Sequence, residues 1–146
     1  MSNNYGANAY KKASITTANR GQILIMLYEA AIRNLKKAEE AIDARNMGNK
    51  GTLIGKTHDI IAELQSTLNF DVGGDIAKEL DRLYSFMTEQ LLKANIENSK
   101  EKLQAVSKLL NTLLVAWRQA VDQANRTGVL NGAPPPAQKP ENPSGG

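Results

Sequence analysis

The chain has 146 residues with no Cys, one His and one Trp, and its 18 Lys and Arg against 15 Asp and Glu leave a formal charge of +3. That length supports one core and not two domains of ordinary size, and the lack of Cys excludes a disulfide scaffold, a thiol nucleophile and a cysteine metal site. Charges of both signs alternate along the chain, so electrostatics makes no case for nucleic acid. The polar start Met1-Ser2-Asn3-Asn4 lacks the order of a signal peptide, and no apolar run approaches the roughly 18 residues of a membrane span. A soluble protein of the cytoplasm, without membrane insertion, is expected.

Residues 1–18 form an N-terminal arm with Tyr5, Tyr10 and Ile15 among small polar residues, too short to fold alone. From there four segments carry apolar residues at three- and four-residue spacing, which places them on one face of a helix. The stripes run Leu24, Leu27, Ala31, Leu35, Ala38, Ile42; then Leu53, Thr57, Ile60, Ile61, Leu64, Leu68; then Ile76, Leu80, Leu83, Met87, Leu91, Ala94; and finally Leu103, Val106, Leu110, Leu113, Trp117, Ala120, Ala124. Asn46 to Gly51 reads as the first turn and Asp71 to Gly74 as the second, with Asp75 at the start of the third helix. Asn98 with Glu101 reads as a capping-box-like start of the fourth. Helices are expected at roughly 19–46, 51–69, 75–97 and 99–126. Such short connections make consecutive helices antiparallel, so the fold class is all-α: an up-down four-helix bundle over 19–127. All five prolines fall between Pro134 and Pro143, and 128–146 reads as a disordered or locally polyproline tail.

Chemistry-bearing motifs are weak. Gly55-Lys56-Thr57 imitates the end of a phosphate loop, but position 50 is Lys where the motif needs Gly, and no strand precedes it. His58 is the only His, and the carboxylates fall mainly on polar faces, without the Glu-x-x-His pairs of a di-metal bundle. No catalytic residue, metal site or cofactor is assigned, and an enzyme is not expected. The stronger signal is apolar surplus off the stripes. Ile25, Tyr28 and Ile32 lie to the side of the first stripe, Phe86 and Leu92 depart from the third, Val115 opposes the fourth, and Ile54 and Ile61 widen the second. Scattered exposed apolars are ordinary, but several on neighbouring helices suggest a groove for a partner's apolar face.

In order and spacing the residues resemble the family of flagellar secretion chaperones of flagellin, FliS. The matching blocks are Asn8-Ala9-Tyr10, Ile15, Thr17-Ala18, Leu24-Ile25-Met26-Leu27-Tyr28-Glu29-Ala30-Ala31-Ile32, Ile60-Ile61-Ala62-Glu63-Leu64, Gly73-Gly74 before Ile76-Ala77, Leu83-Tyr84, Leu91-Leu92-Lys93-Ala94-Asn95 and Ala116-Trp117. Where the family usually has Ser-Pro after Thr-Ala, this chain has Asn19-Arg20, and Ala7 replaces a second arm tyrosine. The resemblance implies a cytoplasmic export chaperone. Such a protein binds the C-terminal region of flagellin, prevents premature polymerisation and delivers its cargo to the export gate of the flagellar type III apparatus. It also implies export-apparatus contacts at Tyr10 and Ile15. Wheel position nominates Ile54, Ile61, Leu68, Tyr84 and Phe86 for the flagellin groove. A bundle adaptor for another helix and a weak nucleic-acid-binding bundle are the alternatives, and the free chain is a monomer or a homodimer.

Overall fold

In the computed structural model, which describes residues 20–127, four helices follow one another: α1 (Arg20–Asp43), α2 (Met47–Ser66), α3 (Phe70–Glu97) and α4 (Lys100–Thr127). The expected arm and tail lie outside the described residues. Close backbone approaches join α1 to α2, α2 to α3, α3 to α4 and α4 back to α1, whereas the diagonal pairs α1/α3 and α2/α4 have none. With connections of two or three residues, this is the antiparallel up-down bundle that the periodicity predicts.

The turns are made by residues other than the expected glycines. Arg45, at φ 58°, closes α1 in the left-handed conformation. The Asn46 N–H donates to the Ala41 carbonyl and the Arg45 N–H to Ile42, which is a Schellman pattern. Asn46 then turns round as the N-cap of α2, its side chain accepting from the Asn49 N–H at 3.1 Å. Because the cap is already in place, α2 starts at Met47 instead of about residue 51, and Gly48 and Gly51 belong to the helix.

Two further starts differ from expectation for the same reason. Asn69, not Asp75, caps α3 by accepting from the Asp71 and Val72 N–H groups, so a short first turn precedes the Gly73-Gly74 break. Gly74 bends the helix there with φ 51° and ψ −127°, a combination that only glycine adopts readily. Asn98 does not start α4: it ends α3 in the left-handed conformation, and Ser99 Oγ accepts from the Lys102 N–H instead.

Core residues also revise the first stripe. Ile25, Tyr28, Ala31, Leu35 and Ala38 are buried, whereas Leu24 and Leu27 are half-buried. Helix α1 is flanked by both α2 and α4, so its buried arc is wide and displaced from the simple heptad line. At its start Gly21 abuts α4, where an added Cβ would sit 2.7 Å from Val121 Cγ2.

Two glycines should therefore respond oppositely to alanine. Gly74→Ala forces a side chain into a positive-φ conformation and should lower stability by about 1–2 kcal/mol. Gly55→Ala, in open space on a regular helix, should raise it by about 0.5–1 kcal/mol, both read as shifts of the urea midpoint.

Candidate protein-docking site

The bundle interior is committed to packing, and this redistributes the expected groove residues. Residues 50, 54, 57, 61 and 64 follow three- and four-residue steps along the inward line of α2, so Ile54 and Ile61 are core, with Ile61 fully buried. Tyr84 belongs to the inward line of α3 with Leu80, Met87, Leu91 and Ala94, and is likewise core. These three are corrected from surface to interior and are not available to a partner in the closed bundle. Leu68 is half-buried at the α2–α3 turn, and Phe86 is 44 % exposed. Tyr10 and Ile15 lie outside the described residues.

Tyr84 has a partner of its own inside. Its hydroxyl meets that of Tyr28 at 2.5 Å, across the α1/α3 diagonal, and the Tyr28 ring tilts against Trp117 of α4 with centroids 6.3 Å apart. Burial pushes the Tyr28 phenol up to about 12, offset in part by the Tyr84 hydroxyl and the nearby Trp117 indole. That indole N–H has no hydrogen-bond partner among the described residues. Tyr84 is pushed up further, first by burial and then by its neighbour Tyr28.

Between neighbouring helices the seams differ in how they are bridged. Across α1/α4, Arg118 pairs with Glu29, Gln104 donates to Glu39 at 2.9 Å, and Lys100 Nζ reaches both Asp43 oxygens at 2.9 and 3.0 Å. The Asp43 carboxylate raises the Lys100 pKa, first through that hydrogen bond and then through its charge. Across α2/α3, the buried Lys50 ammonium donates to the Asn95 carbonyl at 2.8 Å and to Asn98 Oδ1 at 2.7 Å. At the opposite end Gln65 donates to Asp81 Oδ1 at 2.8 Å and Ser85 Oγ at 3.0 Å. Across α3/α4 the one side-chain bridge among the described residues is Lys102–Glu97 at 3.1 Å, beside the turn.

These bridges also identify the flanks of α3. Glu97 marks the side facing α4, and Phe86, eleven residues earlier, lies almost directly beneath it on a 100° wheel. Ser85 marks the side facing α2, and Leu92 and Ile96 fall within about 20° of it. Both flanks of α3 thus present apolar side chains: Phe86 with half-buried Leu83, Leu109 and Leu113 on one, and Leu92 and Ile96 on the other, 61 % and 73 % exposed. Phe70 and Val72 on the first turn of α3 are exposed too, whereas α1, α2 and α4 each expose one large apolar residue, Met26, Met47 and Val115. Phe86, Leu92 and Val115 are legible from the wheel. Ile96 was missed although it stands one turn beyond Leu92 on the same off-stripe line, which is the signal that finds it.

The remaining motifs are explained by helix geometry. Gly55-Lys56-Thr57 lies inside α2, and the buried Thr57 hydroxyl donates back to the Leu53 carbonyl at 2.9 Å, so no loop is present to surround a phosphate. His58 is exposed and stands 3.7 Å from the Asp59 carboxylate. Among the described residues no group of His, Asp and Glu could hold a metal ion, and no helix is long and apolar enough to cross a membrane.

Comparison with known proteins agrees with this architecture. Residues 1–124 match the family described as "Flagellar protein FliS". The chain is 39 % identical over 115 residues to the flagellar secretion chaperone FliS of Vibrio cholerae, covering 76 % of this chain and 85 % of that protein. It is 30 % identical over 118 residues to FliS of Bacillus subtilis, covering 81 % and 87 %. This chain belongs to the FliS family. The FliS match takes in the arm with Tyr10 and Ile15 and leaves the proline-rich tail outside. The FliS relatives are named as flagellar secretion chaperones.

The buried phenol pair gives an alkaline signature. An unfolded tyrosine releases its proton near pH 10, whereas Tyr28 holds its own to about 12 and Tyr84 to higher pH. The native state binds more protons in that window, so the stability is complete below pH 10 and lost as pH rises through 10 to 12 and beyond. Each tyrosine should steepen the fall by about 1.4 kcal/mol per pH unit. Urea titrations at pH 8 to 11 should show a shallower decline for the Tyr28→Phe/Tyr84→Phe double variant. Either single variant should cost about 1–3 kcal/mol at pH 7 by leaving the other hydroxyl unpaired, and the double variant less than their sum.

Proposed function

We propose that this FliS-family protein is a cytoplasmic export chaperone that binds the C-terminal region of flagellin. It covers the apolar face of that segment before polymerisation and delivers it to the export gate of the flagellar type III apparatus. The observation that carries the reading is the apolar surface concentrated on α3, with Phe86 toward α4 and Leu92 and Ile96 toward α2. An amphipathic helix laid beside α3 would bury these side chains, which is the ordinary helix-in-groove mode and needs neither nucleotide nor metal. Leu68 and Phe86 keep their place as groove residues in this proposal, and Tyr10 and Ile15 in the arm contact the export apparatus. The buried Tyr28 and Tyr84 are not required to move.

Mixing the protein with a flagellin C-terminal peptide should give a complex that gains helix by circular dichroism and changes little in affinity between 50 and 500 mM salt. Phe86→Asp and Leu92→Asp should each weaken binding by about tenfold or more, since each removes a buried apolar contact and adds a charge that must be desolvated. Both variants should keep the parent melting temperature within a few degrees, because neither residue is core. No co-elution of parent protein and peptide, or equal affinity of parent and both variants, would count against the reading.

A further inference from the structure

Lysines near the end of the bundle where α1 turns into α2 and α3 into α4 are engaged in two different ways. Lys93 pairs with Glu89 at 3.3 Å, Lys100 with Asp43 at 2.9 Å and Lys102 with Glu97 at 3.1 Å. None of these three is buried, and each meets a carboxylate. Lys50 is buried, and among the described residues its ammonium meets only neutral oxygens, the Asn95 carbonyl at 2.8 Å and Asn98 Oδ1 at 2.7 Å.

Nothing in α2 favours a cation at that position. Lys50 is the fourth residue of a helix with no acidic residue in its first turn, so its charge lies at the positive end of the helix dipole without a local counter-charge. Burial adds the cost of desolvation. The gain is on α3, which has no basic residue in its last turn and whose terminal carbonyls have no donors within the helix. The Asn98 and Ser99 N–H groups both turn back to the Ala94 carbonyl, which leaves the Asn95 carbonyl to Lys50. The ammonium is thus a C-cap supplied by another helix, with the favourable sign for the α3 dipole.

The capped turn carries docking residues. Ile96 stands next to Asn95 and one position before Glu97, the last residue of α3, and Leu92 is one turn earlier. Ile96 is 73 % exposed, so its side chain makes little packing that could hold the turn, and helix ends fray first. In a regular α-helix the residue 96 N–H donates to the residue 92 carbonyl, so fraying from the end frees Ile96 first and then loosens Leu92.

We propose that Lys50 is a positioning residue: from the start of α2 it caps the last turn of α3 and holds Ile96, and with it Leu92, in the geometry that a cargo helix meets. The cap depends on the structure alone, whereas its use in docking rests on the flagellin reading. Ordering this turn before cargo arrives lowers the entropy cost of binding.

Lys50→Met keeps a buried stem of similar length and removes the charge. In the free protein the amides of Ile96, Glu97 and Asn98 should exchange with solvent about tenfold faster in this variant, with those of Leu35 and Leu110 in the core unchanged. The melting temperature should stay within a few degrees, since an apolar side chain in place of a buried charge is often neutral for stability. Affinity for a flagellin C-terminal peptide should fall about three- to tenfold. In a Leu92→Ala/Ile96→Ala background the same change should alter affinity by less than about twofold, and in a Phe86→Ala background its effect should be complete. Should Lys50→Met fail to fold, Asn98→Gly keeps the left-handed turn, removes one of the two acceptors and should move the same readouts in the same direction. Unchanged exchange at residues 96–98 overturns the cap, and an equal loss of affinity in both backgrounds overturns the positioning role. Faster exchange in the variant with no peptide binding by the parent overturns the flagellin reading and leaves the cap standing.

Discussion

The centre of this bundle is fixed by a hydrogen bond between two tyrosines that do not belong to neighbouring helices. With adjacent axes about 8–10 Å apart, diagonal axes are separated by roughly 11–14 Å, too far for the short side chains that knit neighbours together. Tyr28 and Tyr84 span that gap and meet hydroxyl to hydroxyl at 2.5 Å, with Trp117 packed against the first ring. Neither phenol has another hydrogen-bond partner among the described residues, so each satisfies the other and the axial positions of α1 and α3 are set together. Ile61, Leu64, Met87, Leu103 and Leu110 then fill the layers around them with no exposure to spare.

Such an interior leaves nothing for a partner, and the seams divide the remaining work. Three polar bridges tie α1 to α4, and α2 is anchored to α3 at both ends through Lys50 and Gln65. Lys50 is costly to bury, but its ammonium finds a carbonyl and an amide oxygen at the left-handed end of α3, which offsets the loss of water. The α3/α4 seam has one bridge beside its turn and apolar side chains along the rest. A partner that enters there displaces water from apolar surface without first breaking a ladder of ion pairs.

The helices were legible because their period is carried by many residues at once. The caps were less so, because Asn, Asp, Ser and Gly are interchangeable on a spacing argument: Asn46 caps α2, Asn69 caps α3, Asn98 ends α3 and Ser99 starts α4. Which asparagine takes a left-handed φ depends on the helix it must close, not on its type. The residues expected in the groove divide between core and surface for a geometric reason. A wheel measures angle from one stripe, yet α2 buries an arc broad enough to take in Lys50, Leu53, Ile54, Thr57, Ile61 and Leu64, so an apolar residue beside the stripe centre is core. Tyr84 misled for another reason, since a tyrosine reads as amphipathic until its hydroxyl is seen to have a buried partner. Phe86, on the far flank of α3, was correctly placed outside because it lies well beyond any buried arc.

Magnitudes constrain how cargo must be held under the proposed reading. Fully burying an apolar side chain contributes about 1.5–3 kcal/mol, and Phe86, Leu92 and Ile96 have only 44 %, 61 % and 73 % of their surface left to lose. Together they offer roughly 3–5 kcal/mol, less than or comparable to the cost of bringing two chains together. A single helix resting on one flank of α3 would therefore bind weakly. Useful affinity requires a cargo segment that wraps from the α2 side of α3 to the α4 side and takes in Phe70 and Val72 at its start. Wrapping also suits release, because a contact spread over several modest patches can be peeled off one patch at a time, and no single step then has to overcome the whole binding free energy.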